Sequence, residues 1–265
     1  MNDVLTAMPS VQAVRKLHDL TGRTALVTGG GSGLGRAMAW GLACHGASLA
    51  IVDRDAANGE ACAKEITDAC GVRAIAVQAD VSSENDVDRA TATVLNELGG
   101  VDVLVNNAGH NIRKPLIDYT VDEFDSLYAV HVRGTFLFCR AVGRHMQGRG
   151  FGAIINIASM LGHVAAVNVS PYAAAKGAIL QLTKALSLEL ARYHIRVNAI
   201  APGYIDTPLT RQHAPEVRDR IAQTTPLGRF GRAHELIGPV VFLASDASSF
   251  MTGGSLIIDG GWTAQ

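Results

Sequence analysis

Three things are scarce in this chain of 265 residues, and each scarcity removes a class of function. Charge of one sign is the first: 23 Lys and Arg stand against 24 Asp and Glu, a formal net charge of −1. With neither sign dominant and no long basic run, nothing favours nucleic acid or an anionic membrane as partner, and a small metabolite is the default. Cysteine is the second. Cys44, Cys62, Cys70 and Cys139 fall in segments that read as helical, with no CxxC spacing and no clustering with histidines. That argues against a zinc or other metal site and against a disulfide framework. The third is length of apolar sequence: no stretch of about 18 apolar residues free of charge occurs, so no membrane span is expected. Residues 1–20 lack the unbroken apolar stretch of a secretory signal, and Arg15, Lys16, His18 and Asp19 interrupt their end. They are set apart as an N-terminal arm, and a cytoplasmic protein is expected.

What is present is a rhythm. Short apolar runs suited to strands alternate with longer helical patterns from Thr24 to the C-terminus, which implies repeated βαβ units and a parallel sheet. The strands read as Thr24–Thr28, Ser48–Asp53, Val72–Gln78, Val101–Asn106, Ala153–Ala158, Arg196–Ala201 and Leu256–Asp259. Most are apolar on both faces, as strands covered from both sides must be. Helices are expected over Leu34–His45, Ala56–Cys70, Glu84–Leu98, Val121–Met146, Tyr172–Tyr193 and Ala233–Ala244. No repeat, low-complexity tract or linker divides the chain, so residues 21–265 read as one α/β domain. Its architecture is a Rossmann fold, a doubly wound parallel seven-stranded sheet with helices on both faces. Pro202 to Arg232 is the longest stretch without clear periodicity and reads as a flap over a site.

The first strand runs into Gly29, Gly30, Gly31, Ser32, Gly33, Leu34 and Gly35, then a helical pattern. Glycines let the backbone turn sharply and approach a pyrophosphate, and the helix N-terminus offers unpaired N–H groups with partial positive charge. About 20 residues on, Asp53 ends the second strand, where a carboxylate accepts hydrogen bonds from ribose hydroxyls. A 2′-phosphate there would meet a negative charge. NAD is therefore expected before NADP, with Arg54 alongside as the residue that keeps NADP open.

Tyr172 and Lys176 stand four apart at the start of a helical segment, on one face, and Ser159 ends the preceding strand. A tyrosine near its ordinary pKa of about 10 is a poor base at neutral pH, but a neighbouring ammonium favours its phenolate. The phenolate would take a hydroxyl proton as hydride leaves carbon, while the Ser159 hydroxyl steadies the oxygen. Such a pair on a helix is more commonly a packing pair, and its surroundings give it weight. The glycine turn, Asn106-Asn107-Ala108-Gly109, Ser159, Tyr172/Lys176 and Pro202-Gly203, in that order, resemble the short-chain dehydrogenase/reductase family from about Leu20 to Trp262.

The resemblance implies an NAD(P)-dependent oxidoreductase interconverting a secondary alcohol and a ketone, assembled as a homotetramer through the long helices. It implies that Asp80 and Val81 border the adenine and that Asn107, Ala108 and Gly109 back the cofactor. Lys176 would also hold the nicotinamide ribose, and Pro202, Gly203, Ile205 and Thr207 would grip the carboxamide. One position departs from the family pattern: His131 stands where the family has an asparagine that holds a water linking the lysine to solvent. A neutral imidazole can hold such a water. Among members, the chain most resembles gluconate 5-dehydrogenase-like sugar-acid and polyol dehydrogenases. Arg113 or Lys114 could then clamp a substrate carboxylate, with His110, Met160, His163 and Tyr204 around the pocket. A 3-oxoacyl or ketosteroid-type reductase, or a catalytically silent NAD-binding protein, are the alternatives.

Overall fold

Seven strands, all parallel, form the central sheet of this computed structural model, which describes residues 8–208, 210–212 and 214–265. The strands are β1 (Thr24–Thr28), β2 (Ser48–Asp53), β3 (Ala74–Gln78), β4 (Val103–Asn106), β5 (Gly152–Ile157), β6 (Ile195–Pro202) and β7 (Ser255–Ile258). They stand in the order β3-β2-β1-β4-β5-β6-β7. Helices cover both faces. On one side α1 (Gly33–Cys44), α2 (Ala56–Cys70) and α8 (Ile237–Ala244) bury Met38, Leu42, Ile66 and Val240 against Val27, Leu49 and Ile51. On the other, α3 (Glu84–Leu98), α5 (Gly134–Arg149) and α6 (Ser170–Leu190) contribute Val87, Phe138 and Leu190, which pack on Leu26, Leu104 and Ile154. Central strands sandwiched in this way lose all solvent contact, which is why β1, β4 and β5 are buried at every residue and read as continuous apolar runs.

Local chemistry fixes the helix limits. The Asp55 side chain accepts from the Asn58 N–H and Ser83 from the Asp86 N–H, each satisfying one orphan amide of a first turn. Gly71 and Gly99 end the same two helices in the left-handed conformation, at φ 68° and 77°. Both helices therefore coincide with their sequence expectation residue for residue.

Two expectations are corrected. The single helix expected over Val121–Met146 is three pieces: α4 (Val121–Tyr128), a wider π-helical turn over Ala129–Arg133, and α5. The segment from Pro202 to Arg232 is not irregular throughout. It holds α7 (Pro215–Thr224) and a short parallel pair between Ile205–Asp206 and Gly231–Arg232. Pro215 starts α7 with its fixed φ and Glu216 supplies an acid in the first turn, but only Ile221 is buried, so no apolar stripe marks the helix in sequence. Part of the expected arm, residues 1–7, lies outside the described residues. Within the rest, Ser10 caps a one-turn helix over Val11–Arg15, and Leu20 is buried against the first core. Among the described residues no helix is long and apolar enough to cross a membrane.

Candidate active site

Strand order reverses between β1 and β4, so their carboxyl ends part and leave a crevice, the place where open parallel sheets take ligands. A cleft of about 670 Å³ opens there. The turns leaving the two strands are stitched together. The Thr28 hydroxyl accepts from the N–H groups of Asn107 and Ala108 at 3.0 and 3.1 Å. The Asn107 amide donates in return to the carbonyls of Thr28 and Gly29, both at 3.0 Å. Glycine is required where the turns touch: a Cβ on Gly29 would lie 2.9 Å from the Ala108 Cα.

The residues present fit a dinucleotide. Ser32 begins α1 without a side-chain cap, which leaves the first amides of that helix free for an anion at the floor of the cleft. Asp53 lines the cleft where an adenosine ribose would lie. Its carboxylate accepts from the N–H of Gly31 at 2.9 Å and of Asp55 at 3.0 Å, which fixes its orientation beside Arg54 at the cleft rim. Of the residues expected to hold the cofactor, Gly29, Ser32, Gly33, Leu34, Asp53, Arg54, Asp80, Val81, Asn107, Ala108, Gly109, Pro202, Gly203, Ile205 and Thr207 line the cleft. Gly31 and Gly35 do not; they lie behind the turn, Gly31 against Asn58 and Gly35 against Gly29 and Asn107. Sequence reasoning missed Val52, Ala79, Ile157, Pro208 and Thr210, which reach the cleft as strand ends or flap residues with no motif to mark them.

Ser159, Tyr172, Lys176 and His131 converge on the same wall. Lys176 is buried, and its Nζ donates to the Ile157 carbonyl at 2.7 Å, 5.6 Å from the centre of the Tyr172 ring. His131 is buried too and meets the Tyr172 ring edge-on, centroids 5.4 Å apart. Its Nε2 lies 2.7 Å from the His110 carbonyl oxygen. A carbonyl can only accept, so Nε2 carries the proton and Nδ1 is left with a lone pair. Burial first, and the Lys176 charge second, hold this imidazole well below the ordinary histidine range, so it is neutral.

The electrostatics correct one expectation. Lys176 was expected to draw Tyr172 towards its phenolate, yet the tyrosine is pushed up to about 12, chiefly by burial, with the Ser159 hydroxyl opposing. Burial alone brings Lys176 down to about 7. Desolvation penalises the charged form of each group.

That pairing has a measurable sign. An unfolded lysine keeps its proton to about pH 10.4, whereas folded Lys176 gives it up near 7, so between these values the unfolded chain binds more protons and stability climbs with pH. Tyr172 acts oppositely above about pH 10, where the folded chain retains a proton that the unfolded chain sheds. Denaturant titrations are expected to show stability rising from about pH 7 to about pH 9 in wild type and to show less of that rise in Lys176→Met. Equal slopes in the two proteins would remove the assignment.

The expected substrate residues are only partly brought together. His110 lines the cleft. Lys114 is engaged elsewhere, in an ion pair with Glu123 at 2.6 Å, and Arg113 is exposed outside the cleft lining. Met160 is buried in a small cluster with Leu161 and Val169, flanked by Tyr172, Tyr204 and Trp262. Tyr204 packs edge-on to Trp262, centroids 5.1 Å apart, and His163 meets the Ser255 hydroxyl at 3.1 Å. Lys114 is therefore corrected from carboxylate clamp to loop anchor, because its ammonium already has a carboxylate partner.

Known proteins resemble this chain over nearly its whole length. A family model described as enoyl-(acyl carrier protein) reductase matches residues 29–263. Gluconate 5-dehydrogenase of Gluconobacter oxydans is 38% identical over 251 residues, 94% of this chain and 98% of that protein. The 2-(R)-hydroxypropyl-CoM dehydrogenase of Xanthobacter autotrophicus is 41% identical, over 91% of this chain and 99% of that one. Among solved structures, a gluconate 5-dehydrogenase from Burkholderia cenocepacia in complex with NADP and tartrate superposes with a TM-score of 0.91. It is 40% identical, over 95% of this chain and 99% of that chain.

Proposed function

Because the chain belongs to the short-chain dehydrogenase/reductase family, an oxidoreductase family acting on CH–OH groups, we propose that Tyr172 is the acid/base of its interconversion of a secondary alcohol and a ketone on a sugar acid or polyol. The convergence of Tyr172, Ser159 and Lys176 on one wall of the cleft carries this reading. When bound, the nicotinamide exchanges a hydride with the substrate carbon, and its oxidised form brings a positive charge that favours a phenolate nearby. The Tyr172 phenolate takes the alcohol proton during oxidation, and the hydroxyl so formed returns it during reduction. Ser159 donates to the substrate oxygen and holds it within reach of the phenol. Lys176, fixed to the strand end through the Ile157 carbonyl, reaches a ribose hydroxyl and biases the tyrosine when protonated. His131 presents its Nδ1 lone pair as the acceptor for a water between Lys176 and solvent, the part played by an asparagine carbonyl elsewhere in the family.

The cofactor is a nicotinamide dinucleotide, and our reading is NAD, carried by Asp53. NADP in the Burkholderia relative argues for the other choice, and Arg54 is the group here that would meet a 2′-phosphate. The ratio of kcat/KM for NAD and NADP decides between them. Asp53→Ala is expected to move that ratio at least about tenfold towards NADP, since it removes a charge facing the phosphate. A ratio indifferent to the substitution would take Asp53 out of cofactor choice.

The substrate class is tested by following reduced nicotinamide at 340 nm across sugar acids, their matching neutral polyols, cyclic alcohols and a 3-oxoacyl thioester. Of the two cations expected to clamp a carboxylate, Lys114 is paired and Arg113 stands exposed outside the cleft lining, so Arg113 is the one left to test. Arg113→Ala is expected to cost sugar acids about 10- to 100-fold in kcat/KM and to spare the neutral polyols, the scale of one charged hydrogen-bonding pair. Equal losses on both substrates would remove the clamp. Binding of NAD without turnover of any compound would instead favour a silent nucleotide-binding protein. Assembly as a homotetramer is supported by the exposed Phe124, Phe136 and Leu188 on α4, α5 and α6, and solution sizing tests it.

A further inference from the structure

Cys44 is the last residue of α1 and Cys70 the last of α2, and the fold sets their Sγ atoms 3.6 Å apart. This contact was invisible in sequence, where the two are separated by 26 positions. Cys44 is exposed and Cys70 half-buried, whereas Cys62 and Cys139 are buried. A disulfide bond is about 2.05 Å long, so the two sulfurs need only close by roughly 1.5 Å. The residues that must yield are helix ends followed by glycine turns, at Gly46 (φ 96°) and Gly71 (φ 68°), rather than strands of the sheet.

We propose that Cys44 and Cys70 are a redox modification site, a reversible dithiol/disulfide clasp formed with small-molecule disulfides of the glutathione class as oxidant. The Cys44 thiolate attacks one sulfur of the small disulfide, whose S–S bond breaks, and one small thiol leaves after taking up a proton. Cys70 then loses its proton to solvent and its sulfur attacks the Cys44 sulfur. The mixed disulfide breaks, and the second small thiol leaves protonated. The protein gives up two electrons and two protons, and the small disulfide is reduced to two thiols.

The clasp joins the far ends of two helices whose near ends serve the cleft. α1 starts at Gly33 in the glycine turn, and α2 starts beside Asp53. Between the two cysteines runs β2, so oxidation closes a loop around the strand that carries the adenosine-binding carboxylate. Burial first, and the neighbouring Cys44 thiol second, push Cys70 up to about 11. Oxidation is therefore slow at neutral pH and quickens in alkali.

The test equilibrates the full chain with NAD and oxidised glutathione, blocks remaining thiols with maleimide under denaturing conditions, and maps the peptides by mass. The expected product carries two maleimides in place of four, retains no glutathione, and joins the Cys44 peptide to the Cys70 peptide of the same chain. It melts several degrees higher than the reduced protein, as loop closure restricts the unfolded chain, and dithiothreitol reverses the shift. Cys70→Ser is expected to stop at one glutathione on Cys44. Four free thiols at equilibrium, a persistent glutathione adduct on wild type, a bond between two chains or a bond at Cys62 or Cys139 would each overturn the clasp. The wild-type peptide map decides without any variant.

Discussion

Tyr172→Phe is expected to lower kcat by about 10²- to 10⁴-fold in both directions, the contribution of a positioned proton donor, while leaving cofactor binding within about twofold. The ring stays and only the hydroxyl goes, so the contacts with His131 and Lys176 survive. The phenol is buried enough to be pushed up to about 12, so its removal is also expected to leave the melting temperature unchanged or higher. Stopped-flow absorbance at 340 nm and fluorescence of bound reduced cofactor give the two readouts. Turnover within tenfold of wild type would mean that another group moves the proton. His131→Asn is the companion variant: with a side-chain carbonyl in place of the Nδ1 acceptor, it is expected to retain turnover within about tenfold and to keep its pH profile. His131→Phe, which has no acceptor, is expected to shift the pH profile as well as the rate.

Gly35→Ala should be the most damaging single methyl in the glycine turn. A Cβ there would overlap the Gly29 carbonyl oxygen and lie 2.5 Å from the Asn107 amide nitrogen, and both are part of the stitch between β1 and β4. Overpacking of this kind costs about 1–3 kcal/mol, and we expect the upper end because the obstacle is backbone. The melting temperature would then fall by roughly 5–10 °C, and cofactor binding would be lost together with the shape of the turn. Gly33→Ala is the control. Gly33 has open space around it but sits at φ 54°, so alanine costs only the strain of a left-handed residue, about 1–2 kcal/mol. Equal damage from the two substitutions would show that the clash is relieved by movement.

How much of this was legible depended on whether the deciding interaction is local. Strands buried on both faces announce themselves as apolar runs, and Asp55, Ser83, Gly71 and Gly99 mark helix ends through bonds made within a few residues. The glycine turn and the Tyr172/Lys176 spacing were legible for the same reason. Helix α7 was not, because a helix with one buried residue carries no stripe. The π-helical turn that presents His131 has no apolar period of its own either. Lys114 looked available until the fold brought Glu123 to it, and the direction of the Tyr172 shift followed from burial that spacing does not report.

The bond from Lys176 to the Ile157 carbonyl has a consequence for how such a protein can diversify. The ammonium is moored to the last residue of β5, upstream of the connection that leads to α6, and not to that connection itself. Residues 163–168, which lie between, are thus free to lengthen, shorten or change chemistry without uncoupling the lysine from the sheet. That loop can be rewritten while the ammonium keeps its station at the end of β5.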